Sequence, residues 1–278
     1  MIPDSKTNFL YLADTLPIYY PTFFKQFEKA LKKYNINFEL LPKTKDVWAV
    51  DYMPVQIEMN RFVQFIYKPS YLKSKEDLQS ISNVDTICEQ IGIERIKFNI
   101  RLDGGNVIRT TDKVIITERV FTENPTIERK RLIDDLENNF QIDKLFIIPE
   151  YPDEMTGHAD GLIRFLDEQT VLINSFTKEA KEFSDVFEKA IQKTGLDYIR
   201  IPYNPNGNKN DIQANGLYIN FLQMDGIIFL PIFGIDEDDL ALKQFEQLFE
   251  GQDIVPVNAN EIANEGGILN CISWNILK

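Results

Sequence analysis

The chain predicts a mixed α/β fold, a five-bladed pseudosymmetric propeller of ββαβ units whose ring is closed by the N-terminal strand. Three observations predict it. Short polar motifs recur around Asp51, Asp103, His158, Asn215 and Cys271, at steps of 52, 55, 57 and 56 residues, close to the roughly 50-residue period of repeat folds. Each interval reads in one order: a hairpin, an amphipathic helix, and a short apolar strand leading into the next motif. The last unit stops soon after Cys271 without the second half of its hairpin, and Asn8-Phe9-Leu10-Tyr11-Leu12 at the other end of the chain can supply it. That exchange would pair an otherwise open strand edge.

The hairpins are clearest in the third and fourth units. Residues 161–166 turn through Asp167-Glu168-Gln169 into 170–173, and 216–222 turn at Asp225-Gly226 into 227–230. Residues 53–66 and 105–116 repeat the layout. Apolar residues at mixed three and four spacing predict helices over 21–34, 75–92, 124–140, 178–194 and 237–250, with Phe183, Val186, Phe187, Ala190 and Ile191 as the example. The run 75–92 carries the weakest pattern. Strand-like runs follow at 37–40, 96–98, 145–148, 198–201 and 254–257. No Pro/Gly/Ser-rich linker interrupts them, so residues 1–278 form one domain.

Composition narrows the function classes. With 44% hydrophobic and 26% charged residues the chain is globular. Its formal charge of −13 argues against a nucleic-acid surface and suits a small cationic substrate. No run approaches the roughly 20 apolar residues of a membrane span, and the N-terminus lacks the pattern of a leader, so a cytoplasmic address is expected. Two cysteines are too few for a disulfide framework, and one histidine excludes multi-histidine zinc sites. Neither a dinucleotide glycine fingerprint, a phosphate-binding loop nor a serine-hydrolase elbow occurs. Nucleotide binding and serine-hydrolase chemistry therefore have no direct support, and no metal site is expected. Oligomeric state is left open, a homodimer included.

Cys271 follows Glu-Gly-Gly-Ile-Leu-Asn, where the glycine pair permits close approach of backbone to whatever the thiol faces. A cysteine at a strand start is commonly a small buried hydrophobe, and Cys88, among Val84, Ile87 and Ile91, reads that way. Position on the repeat separates the two. Strand periodicity would put His158 and Asp160 on one face, with Asp160 free either to orient the imidazole or to bind substrate. Asp51 and Asp103 end apolar runs, a place where turn or capping carboxylates also occur. Together three carboxylates, an imidazole and a thiol suit attack on a planar guanidinium, whose N–H fork matches carboxylates. Asp51 and Asp160 would pin it for Cys271, and its charge would favour the thiolate. His158 would protonate departing ammonia and then activate water. The loop 203–210 would flank the site.

These residues resemble the guanidine-modifying superfamily. Trp-x-x-Asp at 48–51, Asp-Gly-Gly-Asn at 103–106, Gly-His-x-Asp at 157–160, Tyr-Ile-Asn-Phe at 218–221 and Gly-Gly before Cys271 are most similar to the branch of agmatine deiminases and bacterial peptidylarginine deiminases. The resemblance implies the pentein form of the α/β propeller, a covalent amidino-cysteine intermediate, no cofactor and a place in polyamine biosynthesis. It assigns Cys271 as nucleophile, His158 as acid/base, and Asp51 and Asp160 as guanidinium ligands. Trp48 would line the substrate channel, with Asp103, Asn106, Asn215 and Gly267 as further substrate-binding candidates. Val50 and Asn270 depart from the family pattern, which has arginine before the first aspartate and histidine before the cysteine. The expected reaction is hydrolytic deimination of agmatine or a related arginine derivative. An amidinotransferase using the same intermediate, and a guanidino-binding protein without catalysis, are the alternatives. Arg101 and Arg164 are the candidates for a substrate α-carboxylate, with Arg164 equally placed to pair with a hairpin acid.

Overall fold

The computed structural model describes all residues except 153, 177–179 and 211. Fifteen strands in the described residues form five separate three-stranded sheets. In chain order they are β1 (Phe9–Ala13), β2 (Asn37–Leu41), β3 (Val55–Glu58), β4 (Arg61–Ile66), β5 (Ile96–Arg101), β6 (Ile108–Arg109), β7 (Lys113–Thr117) and β8 (Lys144–Ile148). There follow β9 (Ile163–Phe165), β10 (Thr170–Asn174), β11 (Asp197–Ile201), β12 (Leu222–Met224), β13 (Ile227–Ile232), β14 (Asp253–Asn258) and β15 (Ser273–Ile276). Four sheets take three consecutive strands each, an antiparallel hairpin and then a parallel third strand. The fifth joins the chain ends. β1 pairs antiparallel with β15, Phe9 opposite Ile276 and Tyr11 opposite Trp274, and parallel with β2. The expected use of the N-terminal strand to complete the last hairpin is therefore seen in its register.

The middle strands with unbroken apolar runs are almost wholly buried: Val114, Ile115 and Ile116 in β7 and Val171, Leu172 and Ile173 in β10 have no exposed surface, whereas β4, interrupted by Gln64, is buried only in part. The parallel third strand is reached through a helix, the only short route back to a parallel neighbour. These helices bury one stripe and knit adjacent sheets together. Phe27 of the helix Pro21–Lys33 meets Phe229 of β13 edge-on at 5.4 Å. Phe140 of the helix Arg129–Phe140 packs at a tilt against Phe65 of β4, ring centres 5.2 Å apart.

One predicted helix is two, and another starts late. The run 75–92 divides into Lys75–Ser80 and Val84–Ile91, because each half has its own start signal: Ser74 and Asp77 form a capping box, and Asn83 accepts from the Thr86 amide at 3.1 Å. The helix expected over 124–140 starts late, at Arg129, since Pro125 holds Asn124 out of helical geometry and Glu128 caps Arg129–Phe140; a separate short helix, Arg119–Glu123, lies ahead of the predicted run. The helix expected from 178 is Lys181–Thr194, and 178–179 lie outside the described residues. Residues 216–221 form turns in place of the expected strand, and only Leu222–Met224 pair with β13.

Candidate active site

Four of the five sheets are preceded by a tight turn carrying a polar side chain. Asp51 lies in the helical turn Ala49–Tyr52 ahead of β3, and Asp103 precedes the 3-10 turn Gly104–Asn106 ahead of β6. His158 precedes a third such turn, Ala159–Gly161, which carries Asp160 ahead of β9. Cys271 stands two residues before β15. Short turns of this kind hold side chains to the lip of a rigid sheet, where packing sets their position. His158 and Asp160 are thus delivered by an extended residue and a 3-10 turn, and not by the expected strand alternation.

The turns converge. His158 Nε2 lies 3.0 Å from Asp103 Oδ2 and its Nδ1 lies 3.5 Å from Asp51 Oδ1. Cys271 Sγ approaches Asp160 Oδ2 at 3.4 Å, and the Asn220 amide donates to the sulfur at 3.2 Å. Of the two uses open to Asp160, orientation of the imidazole thus falls to Asp103 and Asp51. Tyr71 donates to the same Asp103 oxygen at 3.0 Å, which occupies that carboxylate from the other side.

Glycine makes the convergence possible. A Cβ on Gly105 would stand 2.6 Å from Asp51 Oδ1 and 2.7 Å from His158 Nδ1, while its amide donates to Asp51 Oδ1 at 3.0 Å. Gly267 lies flat against the Trp48 ring, where a Cβ would meet ring carbon at 2.2 Å. Trp48 and Gly267 both line the cavity above the thiol.

The other candidates are placed differently. Asn106 is buried and its side-chain oxygen accepts from the Thr117 and Ala159 amides at 2.9 and 3.2 Å, so it clamps backbone and does not reach the cavity. Asn215 donates to Asn260 at 2.8 Å, away from the thiol. The side chain that the fourth unit delivers is Asn220, in the Tyr-Ile-Asn-Phe run; equal spacing pointed to the wrong asparagine because the loop ahead of this unit is longer. Asp103 stands behind the imidazole and off the cavity wall. Arg101 is exposed, and Arg164 is buried in an ion pair with Asp4 at 2.7 Å, so neither faces the cavity. Tyr71, Asp46, Glu154 and Glu265 also border the cavity. No spacing or periodicity marks them in the sequence.

The cavity encloses about 560 Å³. Five carboxylates line it, those of Asp46, Asp51, Glu154, Asp160 and Glu265, and Lys209 is the only lysine or arginine among the described lining residues. The loop 203–210 contributes Tyr203, Pro205, Asn208 and Lys209, so it flanks the cavity as expected. Burial alone would lower the pKa of His158, but Asp51, Asp103 and Asp160 outweigh it and push the imidazole up to about 10. Burial raises Asp51 well above the carboxylate range, with Asp103 and Asp160 adding to it and the His158 charge opposing. Burial, then Asp160 and Asp51, hold the Cys271 thiol well above its ordinary value. Asp46, deep in the wall, is pushed by burial up to about 7. The arrangement is a thiol beside a carboxylate in an acidic cavity, with an imidazole held between two further carboxylates.

Residues 18–276 match the family described as Porphyromonas-type peptidyl-arginine deiminase. An agmatine deiminase of Stutzerimonas stutzeri is 24% identical over 205 residues, 63% of this chain and 55% of that protein. The chain spans about 60% of the length of the first curated relatives it matches. The structure of C. jejuni agmatine deiminase superposes with a TM-score of 0.81 at 17% identity, covering 100% of this chain and 95% of the other. That of Enterococcus faecalis agmatine deiminase gives 0.79 at 18% identity, with coverage of 100% and 95%.

Proposed function

The chain belongs to the Porphyromonas-type peptidyl-arginine deiminase family, and from that premise we propose that it hydrolyses a small guanidino compound, agmatine first, to the ureido product and ammonia. The observation that carries the reading is the shared carboxylate: Asp160 touches the sulfur of Cys271 inside an acidic cavity whose one imidazole is held between Asp51 and Asp103.

Asp51 and Asp160 bind the guanidinium N–H groups and hold its central carbon over Cys271. The bound cation offsets the two carboxylates that disfavour the thiolate, so the Cys271 S–H proton is released to solvent as substrate binds and sulfur reacts as the thiolate. Sulfur adds to the carbon, and His158, protonated at neutral pH, passes a proton to one NH₂ as ammonia leaves. An amidino-thioether remains on Cys271. The imidazole, now neutral, takes a proton from water as its oxygen adds to the same carbon, and collapse expels the thiol and the ureido product. Asp103 and Tyr71 orient His158, while the Asn220 amide steadies the sulfur.

Agmatine is favoured over arginine by charge. The further lining carboxylates Glu154 and Glu265 suit an amine at the far end of the substrate and oppose an α-carboxylate. The same reading arranges the five sheets as blades of a single-domain propeller about a pseudo-fivefold axis, which accounts for the meeting of five sequence-distant turns in one site. It uses no cofactor and places the enzyme in the cytoplasm; among the described residues no helix is long and apolar enough to cross a membrane.

Ammonia release should be measured with agmatine, arginine, methylated arginines and an arginyl peptide, for wild type and Cys271→Ala in parallel. Turnover of agmatine by wild type alone is the expected result. Folded wild-type protein that releases no ammonia from any of them would refute the hydrolase reading.

A further inference from the structure

Asn270, immediately before the nucleophile, has its side chain turned away from the cavity into a buried polar chain. Its Nδ2 donates to Asp160 Oδ2 at 2.8 Å, the same oxygen that meets Cys271 Sγ. Its Oδ1 accepts from Arg164 Nη1 at 2.8 Å. Arg164 Nη1 also donates to the Phe221 carbonyl at 3.0 Å, its guanidinium lies 4.7 Å over the Phe221 ring, and its Nη2 donates to Asp4 Oδ2 at 2.7 Å. Asp4 comes from the N-terminal 3-10 turn Asp4–Lys6, and its other oxygen accepts from Arg109 at 2.7 Å and Asn275 at 3.3 Å.

From this continuous series of donors and acceptors we propose that Asp4, Arg164 and Asn270 act as positioning residues, a relay that begins in the N-terminal segment and fixes Asp160 against Cys271. The inference rests on the assignment of Cys271 and Asp160 made above. Its physical core is the two-sidedness of a carboxamide. An asparagine between two partners reads correctly in one orientation only, and Arg164, which has donors and no acceptor, sets that orientation. Reversing the amide would put oxygen against the Asp160 carboxylate and N–H against the guanidinium. With the amide set, Asp160 Oδ2 keeps an N–H donor and a defined place beside the sulfur.

Arg164 is 3% exposed, and a guanidinium so buried needs a paired anion. Asp4 supplies it. Burial would raise the pKa of Asp4, yet Arg109 and Arg164 hold it below the ordinary carboxylate value. The N-terminal turn therefore contributes the counter-charge that lets an arginine stand behind the site without facing substrate. This also gives the asparagine at 270 a reason: its amide links an arginine on one side to a carboxylate on the other.

The test uses alkylation of Cys271 by iodoacetamide at one fixed pH, followed by mass spectrometry, which requires no guanidino turnover. Failure of the relay is thereby separable from failure of the deiminase reading. Asn270→Ala leaves Asp160 without its amide donor and free to hold the thiol proton more tightly, so alkylation is expected to slow by roughly tenfold. In an Asp160→Asn background the same substitution should change the rate by less than about twofold, because the group it acts through is gone. Arg164→Met should behave like Asn270→Ala, and Arg164→Lys, which retains a donor and the charge, should recover part of the rate. Equal factors in the two Asp160 backgrounds, or no effect of Asn270→Ala in wild type, would overturn the proposal. Should Arg164→Met fail to fold, the Asn270 cycle alone decides.

Discussion

At the scale of single residues the site is governed by how burial and charge divide protons among one imidazole, one thiol and three carboxylates. Because the folded pKa of His158, about 10, lies above its unfolded value of about 6.5, its pairing with Asp51 and Asp103 contributes full stability below about pH 6.5. That contribution declines as pH rises and is lost through about pH 10. The melting-temperature difference between wild type and His158→Gln should therefore shrink from pH 7 to 10. A difference that stays constant over that range would mean that the folded protein carries a neutral imidazole. The two cysteines should separate as sharply. Burial raises both thiols, but Cys88 has no exposed surface whereas Cys271 is partly exposed at the cavity, so native protein is expected to be alkylated at Cys271 alone and unfolded protein at both. Mass spectrometry of tryptic peptides reads this directly, and native labelling at Cys88 would contradict the packing.

At the scale of elements the turns before the strands carry the function, and their glycines carry the turns. Gly105→Ala would push a methyl group between Asp51 and His158, both held by buried partners with little room to move. We expect kcat/KM to fall by about a hundredfold or more, with a melting temperature lowered far less than by loss of a core side chain. Gly216→Ala should do the reverse. Its φ of +83° and a Cβ 1.8 Å from the Asn204 carbonyl oxygen leave no relaxed conformation, and the strain falls on backbone where residues 203 and 217 bridge. Stability should drop by about 1–3 kcal/mol in a denaturant titration, and an unchanged midpoint would show that this connection yields easily. Helix boundaries teach a related lesson. The break at 81–83 is visible in retrospect as Asn83 and the late start at 129 as Pro125 and Glu128, but an apolar period that runs through such residues conceals them until the caps are seen bonded.

At the scale of the whole molecule the net charge of −13 and the five carboxylates of the cavity act in one direction, drawing in cations. Steering of this kind is screened by salt. With agmatine as substrate, KM should rise several-fold between about 20 mM and about 0.5 M NaCl while kcat holds, since the groups that touch the reacting carbon are buried and little screened. Loss of kcat with unchanged KM would place the salt effect in the chemistry and remove steering from the account.

Much of the architecture was legible because periodicity is a local property. The five intervals, the hairpin of the third unit, and the pairing of residues 9–12 with 273–276 all follow from apolar alternation and from an incomplete last repeat. The residue types at Asp51, Asp103, His158, Asp160 and Cys271 were likewise enough to suggest guanidinium chemistry. What the sequence by itself determined is therefore the repeat, the polarity of each turn and the kind of reaction they suit. Which carboxylate serves which partner was decided by the fold alone. Asp103, not Asp160, holds His158; Asn220, not Asn215, reaches the sulfur; and Asp4 supports the site from the far end of the chain through Arg164 and Asn270. Those assignments depend on side-chain contacts of about 3 Å between residues 50 to 160 positions apart, and a spacing rule accurate to a few residues cannot choose between neighbours when one residue's shift moves a side chain several ångströms.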